Sequence, residues 1–270
     1  MSSLDVNHVR PLLSGESVAR LDELDVFASI ASTNTYLLSQ SSPEAGRFRV
    51  AMTDDQTSGR GRHDRRWLSP PGSGLCLSLA YTFSRQPEQL PVLTLALGVG
   101  IVGALRELNV EGLSLKWPND IVALDGKLGG VLTESKSPTR SGEGVTVVAG
   151  LGLNIDLSER LDLGDESERV LRAVDLKSVV TDYPVRELIA ARLIDSLIAS
   201  MTAFEEHGFG IFSDDWQQHD WLNGRRITVD MPDRQISGVA AGIDADGALL
   251  VDTGSERARV ISGSIILEQP

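Results

Sequence analysis

Apolar positions recur along this chain with two periods, and the alternation between them sorts the first two hundred residues into strands and helices. Leu75, Leu77, Leu79 and Tyr81 alternate with Cys76, Ser78 and Ala80, the spacing of a strand with one face committed to a core. Phe48 to Thr53 is expected as a short strand before it, and Val145 to Val148 as a β-branched strand after it. Ser32-Thr33-Asn34 precedes Tyr36, Leu37 and Leu38 as a helix cap does. Pro91 is placed to open an apolar helix. From Pro184 onward Val185, Ile189, Leu193, Leu197, Met201 and Phe204 recur at helical spacing and predict an amphipathic helix that ends near Gly208. Leu113 to Leu132 reads as two strands joined by a tight turn at Asp125-Gly126, which puts Lys127 at the start of the returning strand.

Beyond Trp221 the texture changes. Arg226 to Met231, Ile236 to Ile243, Ala248 to Val251 and Arg257 to Ile261 are short strands separated by Pro232-Asp233, Asp246-Gly247 and Thr253-Gly254, the spacing of a small β-barrel. The domain boundary is therefore expected near Trp221, with residues 1–220 as the larger unit and 221–270 as the smaller. No repeat, heptad array or low-complexity tract interrupts either part, and the mixture of periods points to an α/β or α+β main domain. Asp156 to Glu168 holds six acids against one arginine and is expected as a solvated loop.

Composition narrows the picture. With 270 residues and 41% hydrophobic content, the chain can bury one sizeable core and a smaller satellite. The apolar run from Leu90 to Leu105 contains Thr94 and three glycines and falls short of the ~20 residues of a membrane span, so it is expected as a buried helix. The first 25 residues carry Asp5, Arg10, Glu16, Arg20 and Asp22 without an apolar stretch, unlike a secretory signal. Together with the lone Cys76, which cannot form an internal disulfide, this predicts a cytoplasmic protein. The net charge of −13 argues against nucleic acid as a partner, and nothing predicts a membrane. Residues 59–66 are the exception, with four arginines against one aspartate.

Four segments carry candidate chemistry. Gln56-Thr57-Ser58-Gly59-Arg60-Gly61-Arg62 combines glycines that let backbone approach a ligand with arginines that fork onto phosphate or carboxylate; taken alone it is equally a solvated loop. Lys116-Trp117-Pro118-Asn119-Asp120, followed by Lys127 and Gly129-Gly130, places a lysine where it can hold a carboxylate and a phosphate together, with Asp120 able to meet Mg²⁺ or a nucleotide hydroxyl; the plain alternative is a turn and a surface charge. Ser32-Thr33-Asn34 can read a small polar head group or only cap a helix. Gly150-Leu151-Gly152-Leu153-Asn154 can mark a β-bulge or bring Asn154 to a phosphate or nucleotide sugar.

The order and spacing of Ser32-Thr33-Asn34, Gln56, Gly59-Arg60-Gly61-Arg62, Trp67, Lys116-Trp117-Pro118-Asn119-Asp120, Lys127-Leu128-Gly129-Gly130 and Gly150 to Asn154 together resemble the biotin protein ligase family. The resemblance implies an α+β catalytic domain with the mixed central sheet of class II aminoacyl-tRNA-synthetase-like enzymes and a C-terminal SH3-like barrel. It implies an ATP-dependent ligase that makes biotinyl-AMP and transfers biotin to a lysine of a biotin carboxyl carrier domain of acetyl-CoA or a related acyl-CoA carboxylase. By the same resemblance Lys127 and Arg62 are catalytic. Ser32, Thr33, Asn34, Gln56, Gly59, Arg60, Arg62, Trp67, Lys127, Gly130 and Gly150 would bind substrate. Arg60, Trp67, Asn119, Asp120, Lys127 and Asn154 would bind nucleotide, with Asp120 at Mg²⁺. His63-Asp64 departs from the family pattern, which usually has a small residue, often glycine, there. The chain before residue 27 has no room for the winged helix of the family's repressor members, so an enzyme-only form is expected. Two other readings stay open: a lipoate or octanoate ligase or transferase of the same fold, which turns on whether Cys76 accepts acyl groups, and a non-catalytic ligand-binding regulator.

Overall fold

The computed structural model describes residues 4–85, 87, 89–136, 144–158 and 171–267. A seven-stranded mixed sheet forms the larger unit, in the order β1-β2-β3-β7-β6-β5-β4. Its strands are β1 (Leu21–Val26), β2 (Phe48–Thr53), β3 (Gly74–Thr82), β4 (Ser114–Lys116), β5 (Asp120–Ala123), β6 (Gly126–Lys136) and β7 (Thr146–Asn154). Among the described strands of this sheet, the β1–β2 pair is parallel and the others are antiparallel. Five further antiparallel strands, ordered β11-β10-β9-β8-β12, make the smaller unit: β8 (Arg226–Asp230), β9 (Gln235–Ile243), β10 (Leu249–Asp252), β11 (Arg257–Val260) and β12 (Ser264–Leu267).

The period-two alternation gives the large sheet two different faces. Val50 and Met52 of β2, Leu75, Leu77, Leu79 and Tyr81 of β3, and Val147, Ala149, Leu151 and Leu153 of β7 all join one hydrophobic core. The helices Leu93–Glu107 and Arg186–His207 pack against each other and close that core. The first of these, with its preceding 3₁₀ turn, is long and apolar enough to cross a membrane, and it is instead the inner helix of the core, with Leu93, Leu97, Ile101 and Leu105 fully buried. The second ends at Gly208, whose φ of 68° with ψ of −164° is a conformation that glycine adopts readily and other residues do not. Its predicted apolar stripe holds from Ile189 to Phe204; Val185 precedes the helix and is 67% exposed.

β3 departs from the expectation of a single buried face. Cys76, Ser78 and Ala80 are buried too: the helix Thr33–Ser39 lies over Ser78 and Ala80 and forms a small second cluster of Leu37, Ala51, Ala80 and Val148, while Trp67, Ser69 and Gln56 surround Cys76. Three strands, not two, occupy Leu113–Leu132, since Trp117-Pro118-Asn119 folds β4 back onto β5. The next turn is centred on Leu124 and Asp125, both at positive φ (48° and 52°), one residue earlier than predicted. Gly126 already belongs to β6, and a Cβ there would meet the Arg172 carbonyl at 2.9 Å and Val174 at 2.4 Å; it is selected for close packing. β7 runs through Gly150 and Gly152 in unbroken register with β3, so these glycines mark no bulge. The expected strand at Val145 to Val148 is thus the first half of a longer one.

In the smaller unit β12 is a fifth strand that the turn spacing did not disclose. Trp221 itself is tied into the larger sheet, donating its backbone N–H to Leu115 (2.9 Å) and its ring N–H to Asp125 (3.0 Å). From the other side the Trp117 ring N–H donates to the Gly247 carbonyl (3.0 Å). Of the predicted acidic loop, residues 159–168 lie outside the described residues.

The fold places Leu79 at the centre of the core, fully buried on an interior strand. Leu79→Ala is expected to lower stability by about 2–5 kcal/mol, read as a fall in the urea midpoint at unchanged m-value. A loss near zero would show that the helices do not close on this face.

Candidate active site

Opposite the core face, period two exposes a different set of side chains. Gly130 pairs with Gly152, Leu132 with Gly150, and Glu134 with Val148 across β6 and β7; Cys76 and Ser78 of β3 pair with Gly152 and Gly150. The centre of this face is therefore nearly bare, and two outside groups fill the room. A Cβ on Gly150 would stand 2.2 Å from the Asn34 side-chain oxygen, and one on Gly152 would stand 2.3 Å from the Trp67 ring. A cleft of about 850 Å³ lies over the bare strip, between the Thr33–Ser39 helix, the arginine loop and the small unit.

Neutral polar groups line one end. Ser32 caps its helix, accepting from the Thr35 N–H (3.4 Å). The Thr33 N–H donates to Gln56 Oε1 (2.8 Å), and the Thr33 and Ser78 hydroxyls lie 2.6 Å apart. The Asn34 carbonyl accepts from Ser78 (2.6 Å).

Cations gather at the other end. Lys127 Nζ lies 2.6 Å from Asp120 Oδ1 and 5.6 Å from the centre of the Trp67 ring, and Lys116 Nζ lies 3.4 Å from Asp120 Oδ2. Lys127 reaches this face only because the register of β6 against β5 slips by one residue, between the Ile121–Gly129 and Val122–Lys127 pairs. Strict alternation from Gly130 would have turned residue 127 into the core; a one-residue irregularity re-aims it. Burial works to raise the Asp120 pKa, but the two ammonium groups outweigh it and hold the carboxyl below the usual range. Burial pulls Lys116 and Arg62 below their ordinary values.

The arginine loop closes on itself over the cleft. Gly61 N–H donates to the Arg65 carbonyl (2.7 Å) and Trp67 N–H to the Gly59 carbonyl (3.0 Å). Gly59 does not line the cleft; it is buried where a Cβ would meet the Trp67 carbonyl at 2.3 Å. His63, at the family-divergent position, adopts the left-handed conformation (φ 54°, ψ 42°). Arg60 pairs with Glu134 (2.9 Å).

Every other expected site residue lines the same cleft: Ser32, Thr33, Asn34, Gln56, Arg60, Arg62, Trp67, Asn119, Asp120, Lys127, Gly130, Gly150 and Asn154. Two of them already spend amide protons on backbone: Asn119 donates to the Val131 carbonyl (2.8 Å), and Asn154 to the Lys127 (3.3 Å) and Val174 (3.0 Å) carbonyls. They therefore brace the strands around Lys127. Sequence reading assigned no site role to Ser78, Lys116 or Gly263, Ser264 and Ile265 of the small unit, which also line the cleft. Ser78 was findable from its alternation with the core positions of β3; the small unit's segment carried no local signal. No cluster of three His, Cys, Asp or Glu side chains suited to a metal occurs among the described residues. Cys76 is buried, and burial pushes its thiol up to about 11.

The Biotin/lipoate A/B protein ligase family model matches residues 26–154, and the biotin protein ligase C terminal domain model matches residues 223–267. The bifunctional ligase/repressor BirA of Salmonella typhimurium is 31% identical over 92% of this chain and 73% of its own length. The biotin–[acetyl-CoA-carboxylase] ligase of Mycobacterium tuberculosis is 31% identical, over 90% of this chain and 88% of its own. Among solved structures, the biotin protein ligase of Aquifex aeolicus in complex with biotin and ATP superposes with a TM-score of 0.73 at 25% identity, covering 92% of this chain and 100% of that one.

Asp120 holds two cations in a half-enclosed cleft, so its removal leaves them unpaired. Asp120→Asn is expected to cost about 3 kcal/mol near pH 7, the scale of breaking a buried ion pair. The folded-state pKa lies below the unfolded value of about 3.9, so the carboxylate's contribution is complete above that value and is lost as pH falls through the folded pKa. The stability gap between wild type and variant should accordingly narrow in acid, measured by urea unfolding at several pH values. A gap independent of pH would contradict the assignment of charge.

Proposed function

The chain belongs to the biotin protein ligase family, and from that premise we propose that it is an ATP-dependent ligase that joins biotin to AMP and passes the biotinyl group to a lysine of a biotin carboxyl carrier domain of an acyl-CoA carboxylase. One observation carries the proposal: a single cleft offers neutral hydrogen-bonding groups at one end and two lysines around one carboxylate at the other, with glycines between them. Biotin has that polarity, a neutral ureido ring and a carboxylate at the end of an alkyl chain.

Thr33, Gln56 and Ser32 would hold the ureido ring, with Asn34 behind them, and the bare strip at Gly130 and Gly150 would pass the alkyl chain. The carboxylate then meets Lys127. Its oxygen attacks the α-phosphorus of ATP, the bond to the β-phosphate oxygen breaks, and pyrophosphate leaves. The two reactants are both anions, so Lys127, Arg60 and Arg62 lower the barrier by offsetting charge that builds in the transition state, and Gly59 and Trp67 hold the arginine loop against the strands. Asn119, Asp120 and Asn154 border the nucleotide end. Asp120 is a single carboxylate, which suits Mg²⁺ carried in on ATP phosphates better than a preformed metal cage; bound there, the metal would neutralise phosphate charge. In the second half-reaction the carrier's lysine amine attacks the mixed anhydride, loses its proton and releases AMP.

A thiol acyl acceptor, as in an octanoate transferase, finds no support: Cys76 is buried and its pKa is raised to about 11. The unpaired, buried thiol suits the reducing cytoplasm. The boundary between catalytic and C-terminal units is proposed at residue 221, supported by the separate sheets on either side; the contact of Gly263 to Ile265 with the cleft supports a part for the smaller unit in closing it.

ATP–pyrophosphate exchange that requires biotin, and is not driven by lipoate or octanoate, is expected; exchange with lipoate alone would overturn the substrate assignment. Lys127→Gln should fold normally and lower the exchange rate by about 100-fold or more, the scale of losing a transition-state charge partner. Wild-type exchange in that variant would remove Lys127 from the chemistry.

Arg62→Gly should retain slow adenylation and leak the intermediate. A charge-assisted hydrogen bond to the adenylate contributes about 1.5–3 kcal/mol, so escape should rise by about one to two orders of magnitude. Biotin appearing on albumin added as a bystander would report the leak; labelling no greater than with wild type, from a variant that still makes adenylate, would show that another group retains the intermediate.

A further inference from the structure

We propose that Glu134 and Ser78 are positioning residues that set the hydrogen-bond polarity of the neutral end of the cleft, a role that rests on the biotin reading above. Neither is a residue of the family motifs singled out in the sequence, and Glu134 does not itself line the cleft. It stands behind the wall. One carboxylate oxygen accepts from Asn34 Nδ2 (2.9 Å) and the other pairs with Arg60 (2.9 Å).

The chain of donors and acceptors runs in one direction from that charge. An ionised carboxylate only accepts, so Asn34 must turn its amide nitrogen toward Glu134 and, with it, toward the Leu132 carbonyl (3.3 Å). Its oxygen is then forced toward Ser78, where it accepts the hydroxyl proton at 2.6 Å. Ser78 has spent its proton, so at the 2.6 Å contact with Thr33 it accepts. The Thr33 hydroxyl also lies 3.1 Å from Gln56 Oε1, so both acceptors within reach of its proton, Ser78 and Gln56, belong to the wall, and Thr33 presents a lone pair to the cleft. Gln56 is fixed independently, because its oxygen takes the Thr33 backbone N–H at 2.8 Å, leaving its amide nitrogen as a donor. The wall thus offers an acceptor at Thr33 and a donor at Gln56, which matches a cyclic urea with N–H and C=O groups side by side. The glycine at 150 is part of the same device, since any side chain there would expel the Asn34 oxygen.

Replacing the carboxylate by an amide leaves only the long contact to the Leu132 carbonyl (3.3 Å) to hold Asn34 in this sense, so that it can turn over. Glu134→Gln can then donate to the Asn34 oxygen, and the Asn34 nitrogen faces Ser78, reversing the chain so that Thr33 spends a lone pair on Ser78 and its own proton lies between Gln56 Oε1 (3.1 Å) and the cleft. The expected result is a KM for biotin raised by about tenfold, the scale of leaving a buried polar group mispaired; because the same change releases Arg60 from its ion pair, the readout of this variant is the biotin KM alone. Ser78→Ala breaks the same chain at its middle link, away from Arg60, and removes only a hydroxyl from a buried site, so it should fold and raise the KM for biotin with the KM for ATP changed by less than about twofold. Asn34→Asp alone sets two carboxylates against each other and should raise the biotin KM further. Adding Glu134→Gln to it restores a donor opposite an acceptor and should recover part of the loss, a rescue that a merely structural role would not produce.

The test is exchange kinetics for these variants with biotin and ATP varied separately, alongside thermal unfolding. The proposal is overturned if folded Glu134→Gln and Ser78→Ala keep the wild-type KM for biotin, if in Ser78→Ala the KM for ATP rises in step with it, or if the double variant is no better than Asn34→Asp. Should Glu134→Gln fail to fold, Ser78→Ala decides alone. Absence of biotin-dependent exchange in the wild type would instead overturn the biotin reading itself.

Discussion

Cations that are to meet an incoming anion repel one another until it arrives, and in this protein the Asp120 carboxylate keeps Lys116 and Lys127 together in the meantime. Much of the surrounding architecture can be derived from the need to build that group. Two short strands at one edge of the sheet, β4 and β5, and the start of the long β6 bring residues 116, 120 and 127 side by side. The register slip in β6 turns Lys127 out of the core. Asn119 and Asn154 tie down the backbone on either side, so that the ammonium group is aimed by hydrogen bonds made elsewhere. A carboxylate held by two lysines is also an exchangeable partner: a substrate carboxylate or phosphate can take over one cation without stripping a bare charge of its solvent.

The second requirement is space. A β-sheet face normally carries a side chain at every other residue, and a ligand cannot lie against it. Glycines at 130, 150 and 152 clear a strip, and two side chains from outside the sheet, Asn34 and Trp67, are seated in the gaps that those glycines leave. The head-group end and the charged end are thereby separated by the length of the bare strip, which is what distinguishes a site for a long amphipathic acid from one for a nucleotide alone.

Local signals in the sequence carried the long elements well. The helix over Arg186–His207, the cap at Ser32 and the strands at Phe48 and Leu75 follow from periodicity and capping chemistry, which are properties of neighbouring residues. What escaped were features fixed by distant contacts. The β4 strand has three residues and no periodicity to read. Leu124 takes a positive φ that its own side chain disfavours because the hairpin imposes it. Gly150 and Gly152 look like a bulge and are instead spacers, a distinction that depends on Asn34 and Trp67 being opposite. The cleft gathers the residues to which the family resemblance gave a site role, apart from Gly59, while the contribution of Glu134, Ser78 and the Gly263 to Ile265 segment depends on strand pairing that no local pattern states.

The orientation of the ligand along the glycine strip is the claim on which the chemistry stands, and a crystal structure with biotin bound measures it directly. Density is expected with the ureido ring against Thr33, Gln56 and Ser32, the alkyl chain over Gly130 and Gly150, and the carboxylate within hydrogen-bonding distance of Lys127. Biotin bound in the reverse sense, or outside the cleft, would contradict it.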